Sequence, residues 1–256
     1  MTIPAYELNN GNQIPVVGFG CAFGNWTGGD VMQGFTPEEA WRALTLALEA
    51  GFTHFDAAHC YGTERHLGDI LGRAMAAGQI RREDLFVTTK LAHPAAPPHV
   101  AISGLLTWNW NEVRDIRQRV LDDFDRSKEK LGMGYVDLLL MHWPGTFGNE
   151  DPVFAKEARL AIWEVYESLL QRGDAHAIGV CNFNQSHLAD LIDGLVLAHR
   201  RGGAELARGD WALYFNFGRP LRPAGEAAQL AATHVKAEAI DDRAPVIPLD
   251  QRFCSQ

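Results

Sequence analysis

The sequence predicts an α/β protein, a TIM-type (β/α)8 barrel with an N-terminal hairpin and abbreviated or irregular last β/α units. Strand and helix patterns alternate through the first three-quarters of the chain. The strand segments are apolar throughout, which is typical of a parallel sheet covered by helices. The length of 256 residues is close to that of a single barrel of this kind.

The first elements are predicted from turn and cap residues together with apolar spacing. Residues 6–20, YELNNGNQIPVVGFG, predict a hairpin because an Asn-Gly turn at 10–11 separates two short runs. Thr36 before Pro37 is a typical helix start, and that helix is expected to end near Gly51. A strand at 52–58, a helix at 64–78 and a strand at 85–90 follow.

The alternation continues to Asp193 and then weakens. Further helices are predicted at 113–131, 161–173 and 185–193, and further strands at 136–143 and 177–183. Beyond Asp193 the candidates are a strand at 211–217, a helix at 224–240 and an apolar run at 244–249. Too few residues remain there for three more β/α units at roughly 30 residues each. We therefore expect one domain, 1–256, in which 1–193 is regular and 194–256 is an atypical tail.

Composition and charge argue against several classes of protein. The net charge of −9 disfavours non-specific binding to nucleic acid. No apolar run is long enough to span a membrane, and the N-terminal residues lack the pattern of a signal peptide. Four cysteines without a CxxC pair are typical of reduced thiols. We expect a cytoplasmic protein, a monomer or small oligomer, that acts on a small molecule.

Three predicted strands end in polar residues, Asp56, Lys90 and His142, and Tyr61 follows the first of them closely. Taken singly, each has an ordinary explanation: a cap, a solvated lysine, a core histidine, a buried phenol. The carboxyl ends of barrel strands, however, meet on one face. The four side chains are therefore expected together, and as a set they match the needs of carbonyl reduction.

Reducing a carbonyl group requires a hydride on carbon and a proton on oxygen. The hydride must come from a cofactor, and the proton from a hydroxyl within hydrogen-bond reach. We assign the proton donor to Tyr61, with Lys90 lowering its pKa from the usual value of about 10 and Asp56 holding Lys90 in place. His142 would orient the carbonyl and stabilise charge on its oxygen.

Five motifs in order, IPVVGFG, FDAAHCYGTE, LFVTTKL, KLGMGYVDLLLMHWP and AIGVCNFN, resemble successive signatures of the aldo-keto reductase family over residues 5–193. The resemblance implies that family's barrel, NADPH as cofactor with NADH as the alternative, and reduction of small aldehydes or ketones to alcohols. It implies a catalytic tetrad of Asp56, Tyr61, Lys90 and His142. It implies cofactor contacts from Gly20, Asp56, Lys90, Cys181 and Asn182, and substrate contacts from Phe23, Trp26 and Trp143.

The resemblance stops before the residues that complete the family's cofactor site. The expected Gln, the stacking aromatic ring and the basic residues for the adenosine phosphate are not recognisable after Asp193. The alternative is a non-catalytic or truncated relative with impaired cofactor binding, acting if at all as an interaction module. Unpaired strand edges would make such a chain oligomerise or lose solubility.

A metal site is a weaker alternative. Cys21, Cys60, Cys181 and His142 could all lie at the same end of the strands. Thiols there are usually small buried hydrophobes, so we expect no metal.

Overall fold

The computed structural model describes residues 3–8, 10–24, 34–91, 113–144 and 152–202, without the side chains of 113–115, 152–154 and 196–202. The elements predicted at 211–217, 224–240 and 244–249, and with them the irregular last β/α units, lie outside these residues. In the part of the chain described, no helix combines the length and apolar character needed to cross a membrane.

Strands and helices alternate along the described residues. The strands are β1 (Ala5–Glu7), β2 (Gln13–Pro15), β3 (Phe19–Gly20), β4 (His54–Asp56), β5 (Phe86–Leu91), β6 (Leu138–Met141) and β7 (Ile178–Val180). The α-helices are α1 (Pro37–Glu49), α2 (Glu64–Ala76), α3 (Val113–Leu131), α4 (Pro152–Gln171) and α5 (Gln185–Gly202). Single turns of 3-10 helix are formed by His59–Tyr61 and Arg82–Asp84.

Strands β3 to β7 form one parallel sheet in chain order. Gly20 pairs in register with Asp56, Asp56 with Thr88, and Lys90 with Leu140. Among the described residues, one helix of the series α1 to α4 lies between each strand and the next. Sequential parallel strands joined by helices are the arrangement of a (β/α)8 barrel, and the predicted fold class is confirmed.

The predicted hairpin is confirmed, since β1 and β2 pair antiparallel ahead of the sheet. Gly11 in its turn has φ of 84°, which glycine adopts without strain. The side-chain amides of Asn10 and Asn12 donate to the backbone oxygen of His176 at 2.8 and 2.9 Å. These two bonds attach the hairpin to the segment just before β7.

The start of α1 follows the sequence prediction. The Thr36 hydroxyl accepts from the backbone N–H of Glu39, and the Glu39 carboxylate accepts from the backbone N–H of Thr36. Together they form a capping box, with Pro37 in the first turn. Other boundaries differ: α4 begins at Pro152, and α5 continues past Asp193 to Gly202.

The regular strand and helix patterns of the sequence weaken after Asp193, but no element of the structure ends at that residue. Leu191 and Leu195, one helical turn apart in α5, are both buried in the same core. Their spacing keeps one face of the helix apolar beyond the predicted end. The strands are shorter than their apolar segments, although flanking residues keep single sheet hydrogen bonds, such as the one from the backbone N–H of Ala57 to the backbone oxygen of Thr88 at 2.9 Å.

Alternating side chains of the strands fill two hydrophobic clusters. Phe55 and Val87 belong to the cluster beneath the helices. Phe86 and Leu138 belong to the other, which also includes Ile14 of the hairpin. Because side chains alternate between the faces of a strand, residues two or four positions further along point the same way.

Gly68→Ala is expected to destabilise the fold, whereas Gly72→Ala in the same helix is expected to stabilise it. A Cβ at Gly68 would overlap the backbone oxygens of Lys130 and Leu131, at 2.6 Å from the latter. Helices α2 and α3 would have to separate, at a cost of about 1–3 kcal/mol. A Cβ at Gly72 meets no atom within 4 Å, so the gain in helix propensity of about 0.5–1 kcal/mol applies. Urea unfolding measures both, and equal stability of the two variants would contradict the close packing at Gly68.

Candidate active site

The polar strand ends gather at the carboxyl end of the sheet. Asp56 is the last residue of β4, and Lys90 precedes the last residue of β5. His142 directly follows β6. Tyr61 ends the 3-10 turn after β4, and Gly62 there has φ of 72°, which lets the chain turn into α2. The topology therefore brings together all four predicted catalytic residues.

The ammonium of Lys90 connects three groups. Its Nζ donates to Asp56 Oδ1 at 2.6 Å, to the backbone oxygen of Ala57 at 3.0 Å and to Tyr61 Oη at 3.3 Å. These acceptors match the three donors of an ammonium group, whose side chain is completely buried. Burial opposes the charged form, but Asp56 and Tyr61 outweigh it, and the pKa of Lys90 is raised. The group is a buried cation held by its partners.

Tyr61 is protonated at neutral pH. Burial of the half-buried ring raises the pKa of Tyr61 above its usual value, and the Asp56 carboxylate adds to this shift. The Lys90 ammonium lowers the pKa, but by less. The predicted lowering of the Tyr61 pKa is therefore wrong in its net direction, because desolvation of the phenolate exceeds the attraction of the ammonium. A protonated phenol is the form that a proton donor requires.

His142 is buried between two aromatic rings. Its ring stacks on Trp143, with centroids 3.6 Å apart and planes at 15°, and meets the Tyr61 ring edge-on at 5.6 Å. Its Nδ1 lies 3.6 Å from Cys60 Sγ. The backbone oxygen of His142 accepts from Asn182 Nδ2 at 2.8 Å. The imidazole is thus held next to the phenol, and its backbone is tied to the segment after β7.

Asn182 has φ of 60°, a left-handed conformation that asparagine tolerates better than most residues. Its amide also lies 3.4 Å from Cys181 Sγ. Burial raises the pKa of the Cys181 thiol to about 11, so it remains protonated. Gly20 lies beside Asp56 through their pairing in the sheet. The predicted cofactor residues therefore lie along the ends of β3, β4, β5 and β7.

The predicted substrate residues are placed differently from one another. Trp143 is half-buried and stacks directly on His142. Phe23 packs against Phe19 and Phe35, at centroid distances of 6.2 and 6.0 Å, on the edge of the core. Trp26 lies outside the described residues. Of the three, Trp143 is the one with a described contact to the tetrad.

A buried carboxylate below the tetrad was not identified from the sequence. Glu64 Oε1 accepts from the Thr89 hydroxyl at 2.8 Å, and Oε2 accepts from the Ser127 hydroxyl at 3.1 Å. Ser127 Oγ also lies 3.1 Å from Nδ1 of His59. Burial raises the pKa of Glu64, and its hydroxyl donors and Lys130 oppose the shift. The network links the turn of Tyr61, the strand of Lys90 and helix α3.

The sequence carries little signal for this network. An acidic residue at the start of a helix, as Glu64 is in α2, is ordinarily explained by the helix dipole at the surface. Its partners are distant in the chain, and only the packing of α3 against α2 and β5 brings them together. As for metals, the described residues contain no group of three His, Cys, Asp or Glu side chains that could hold an ion.

Comparisons with known proteins agree on one family. The model of the aldo/keto reductase family matches residues 21–206. Aldose reductase C of Dictyostelium discoideum is 31% identical over 202 residues, covering 73% of this chain and 54% of that protein. D-galacturonate reductase of Hypocrea jecorina is 33% identical over 205 residues, covering 75% and 56%.

Solved structures lead to the same family. The crystal structure of the silkworm aldo-keto reductase AKR2E5 complexed with NADPH aligns with a TM-score of 0.59 at 29% identity. The alignment covers 75% of this chain and 51% of that one. The chain thus spans about half the length of the curated relatives it matches.

Proposed function

Since the chain belongs to the aldo/keto reductase family, we propose that it reduces aldehyde or ketone groups of small molecules to alcohols, with NADPH as cofactor. One observation carries the proposal. The Lys90 ammonium lies within hydrogen-bond distance of both Asp56 and Tyr61, with His142 against the Tyr61 ring. Relatives named as aldose and D-galacturonate reductases, and a related structure with NADPH bound, support the same class of reaction.

Tyr61 acts as the proton donor. Its hydroxyl is protonated at neutral pH and lies at the end of the sheet where substrate would enter. When the proton leaves for a carbonyl oxygen, the phenolate is stabilised by the ammonium of Lys90, 3.3 Å away. Asp56 keeps that ammonium charged and in place through its 2.6 Å hydrogen bond. NADPH held beside these strand ends would supply the hydride for the carbonyl carbon.

His142 orients the substrate beside Tyr61. Its imidazole can donate a hydrogen bond to the carbonyl oxygen and so place that oxygen near the phenol. The stacked Trp143 limits rotation of the imidazole and offers an apolar surface to the rest of the substrate. These contacts fit a carbonyl compound in general and select no particular one.

The residues at the end of β7 fit a nicotinamide. Asn182 uses its Nδ2 on the backbone oxygen of His142, which fixes the direction of the amide. Among the described residues, no group donates to Asn182 Oδ1, and the residue is exposed. This oxygen is therefore available to the N–H of a carboxamide next to the tetrad. The two hydrogens of Asn182 Nδ2 are directed at the backbone oxygen of His142 and at Cys181 Sγ, so the residue offers an acceptor.

A fluorescence titration of the purified chain with NADPH, repeated with NADH, tests the proposal. Saturable binding at micromolar concentrations is expected. Asn182→Gly keeps the left-handed backbone and removes the side chain with its amide, and we expect it to weaken NADPH binding roughly ten-fold, as loss of one or two hydrogen bonds would. If the folded wild-type chain bound neither nucleotide, the reductase proposal would be wrong, and the non-catalytic alternative would replace it.

A further inference from the structure

The imidazole of His142 can support the proposed reaction only with a proton on the correct nitrogen. A neutral imidazole carries one N–H, on either Nδ1 or Nε2. In this chain Nδ1 is directed at the buried Cys60 thiol, 3.6 Å away. With Nδ1 at the thiol, a hydrogen bond from this imidazole to a carbonyl oxygen would come from Nε2.

The contact between Cys60 and His142 has a preferred direction. Burial raises the pKa of Cys60 to about 12, so the side chain is a thiol at neutral pH and carries a proton to donate. A thiol is both a weak donor and a weak acceptor, but an unprotonated imidazole nitrogen accepts better than sulfur, so donation from the thiol to Nδ1 is favoured over donation from Nδ1 to sulfur. A proton on Nδ1 of the neutral imidazole would also leave Nε2 without a proton. When the Cys60 thiol donates to Nδ1, both groups take part in a hydrogen bond and the imidazole proton remains on Nε2.

Packing alone does not account for Cys60. It is 1% exposed, yet it belongs to neither of the two hydrophobic clusters of the fold. It lies in the 3-10 turn directly before Tyr61, so the turn that carries the proton donor also carries this thiol. Cys21, an equally buried thiol, contacts the backbone oxygen of Phe19 instead.

Building on the proposed function, we propose that Cys60 is a positioning residue for the reaction, donating its thiol proton to Nδ1 of His142 and thereby holding the Nε2–H tautomer. A hydrogen bond to one ring nitrogen commonly decides which nitrogen carries the proton. The thiol itself touches neither cofactor nor substrate in this role. It acts only through the imidazole.

Nitrogen-15 NMR of the histidine-labelled protein tests this role, with the His142 signals assigned by their loss in His142→Asn. The wild-type protein should show a protonated Nε2 and an unprotonated Nδ1. Cys60→Ala should raise the ratio of the Nδ1–H to the Nε2–H tautomer roughly five-fold, the effect of one neutral hydrogen bond. Cys60→Ser, which keeps a donor, should restore most of the wild-type ratio, and Cys21→Ala is the matched control that should not change it.

Cys60→Val is a second variant in case the alanine variant folds poorly, and it should shift the ratio in the same direction. An unchanged ratio in a folded alanine or valine variant would overturn the role of Cys60. The measurement needs neither cofactor nor substrate, so it separates the two proposals. If the tautomer ratio shifts in the Cys60 variants but the wild-type chain binds no NADPH, Cys60 remains the hydrogen-bond partner of His142 and the reductase proposal is wrong. If the ratio stays unchanged and the wild-type chain is an active reductase, only the role of Cys60 is wrong.

Discussion

Replacing Tyr61 with Phe should lower kcat for aldehyde reduction by roughly 10³-fold, the range expected for loss of a general acid. The substitution removes one oxygen and leaves the ring against His142. Affinity for NADPH should stay close to that of the wild-type chain, because no proposed cofactor contact uses the phenol. Steady-state kinetics together with the NADPH titration measure both quantities.

The pH dependence of the wild-type rate follows from the same residue. Since the pKa of Tyr61 is raised above 10, the phenol stays protonated through neutral pH. The rate of reduction should therefore not fall between pH 7 and 9 through titration of Tyr61, and should fall only above about pH 10. Tyr6→Phe, at an exposed residue of β1, is the control and should change nothing. An unchanged kcat in Tyr61→Phe would assign the proton to another donor.

Asp56→Asn should destabilise the protein by about 3 kcal/mol at pH 7, since it leaves the buried Lys90 ammonium without its counter-ion. It should also reverse the pH dependence of stability that Lys90 contributes. In the wild-type chain the pKa of Lys90 is raised above 10.5, so its contribution is complete below that pH and is lost as the pH rises through the folded value. Without Asp56, burial dominates and the pKa of Lys90 falls below that of the unfolded chain.

The Asp56→Asn variant should therefore gain stability as the pH rises from 7 to 9, because the folded state releases the Lys90 proton more readily than the unfolded state. Lys90 gives the wild-type chain no such gain over that interval. Urea unfolding at both pH values measures the difference. Asp69→Asn, at an exposed acid of α2, is the control. Adding Lys90→Met to Asp56→Asn should recover part of the loss, and failure to recover any would mean that Lys90 is not the source of the cost.

The family and the order of its elements could be predicted from the sequence because their signals are local. Apolar runs, a Thr-Pro helix start and an Asn-Gly turn each depend on a few neighbouring residues, and α1, α3 and the hairpin follow them closely. The predicted family resemblance is confirmed by the match over residues 21–206. Asp56, Lys90 and His142 could be selected because the ends of parallel strands share one face of the sheet.

Other features required the packed structure. The sign of the Tyr61 pKa shift depends on how much water the fold removes from the ring, and the sequence shows only that Lys90 could be near. The pairing of Cys60 with His142 joins residues far apart in the chain, through the packing of the 3-10 turn against the end of β6. The packing of Phe23, a predicted substrate residue, against the aromatic rings of Phe19 and Phe35 is likewise visible only in the folded chain.

The sequence by itself therefore predicted the α/β class, the order of the elements along the chain, and three polar residues at strand ends with Tyr61 close behind the first of them. Only the tertiary structure decided how those groups behave: Lys90 as a buried cation with three acceptors, Tyr61 as a protonated phenol, Glu64 as a buried link between three elements. The physical reason is the range of the interactions. Backbone preferences and apolar periodicity act between near neighbours, whereas desolvation and hydrogen bonding at the site depend on groups that meet only when the helices pack onto the sheet.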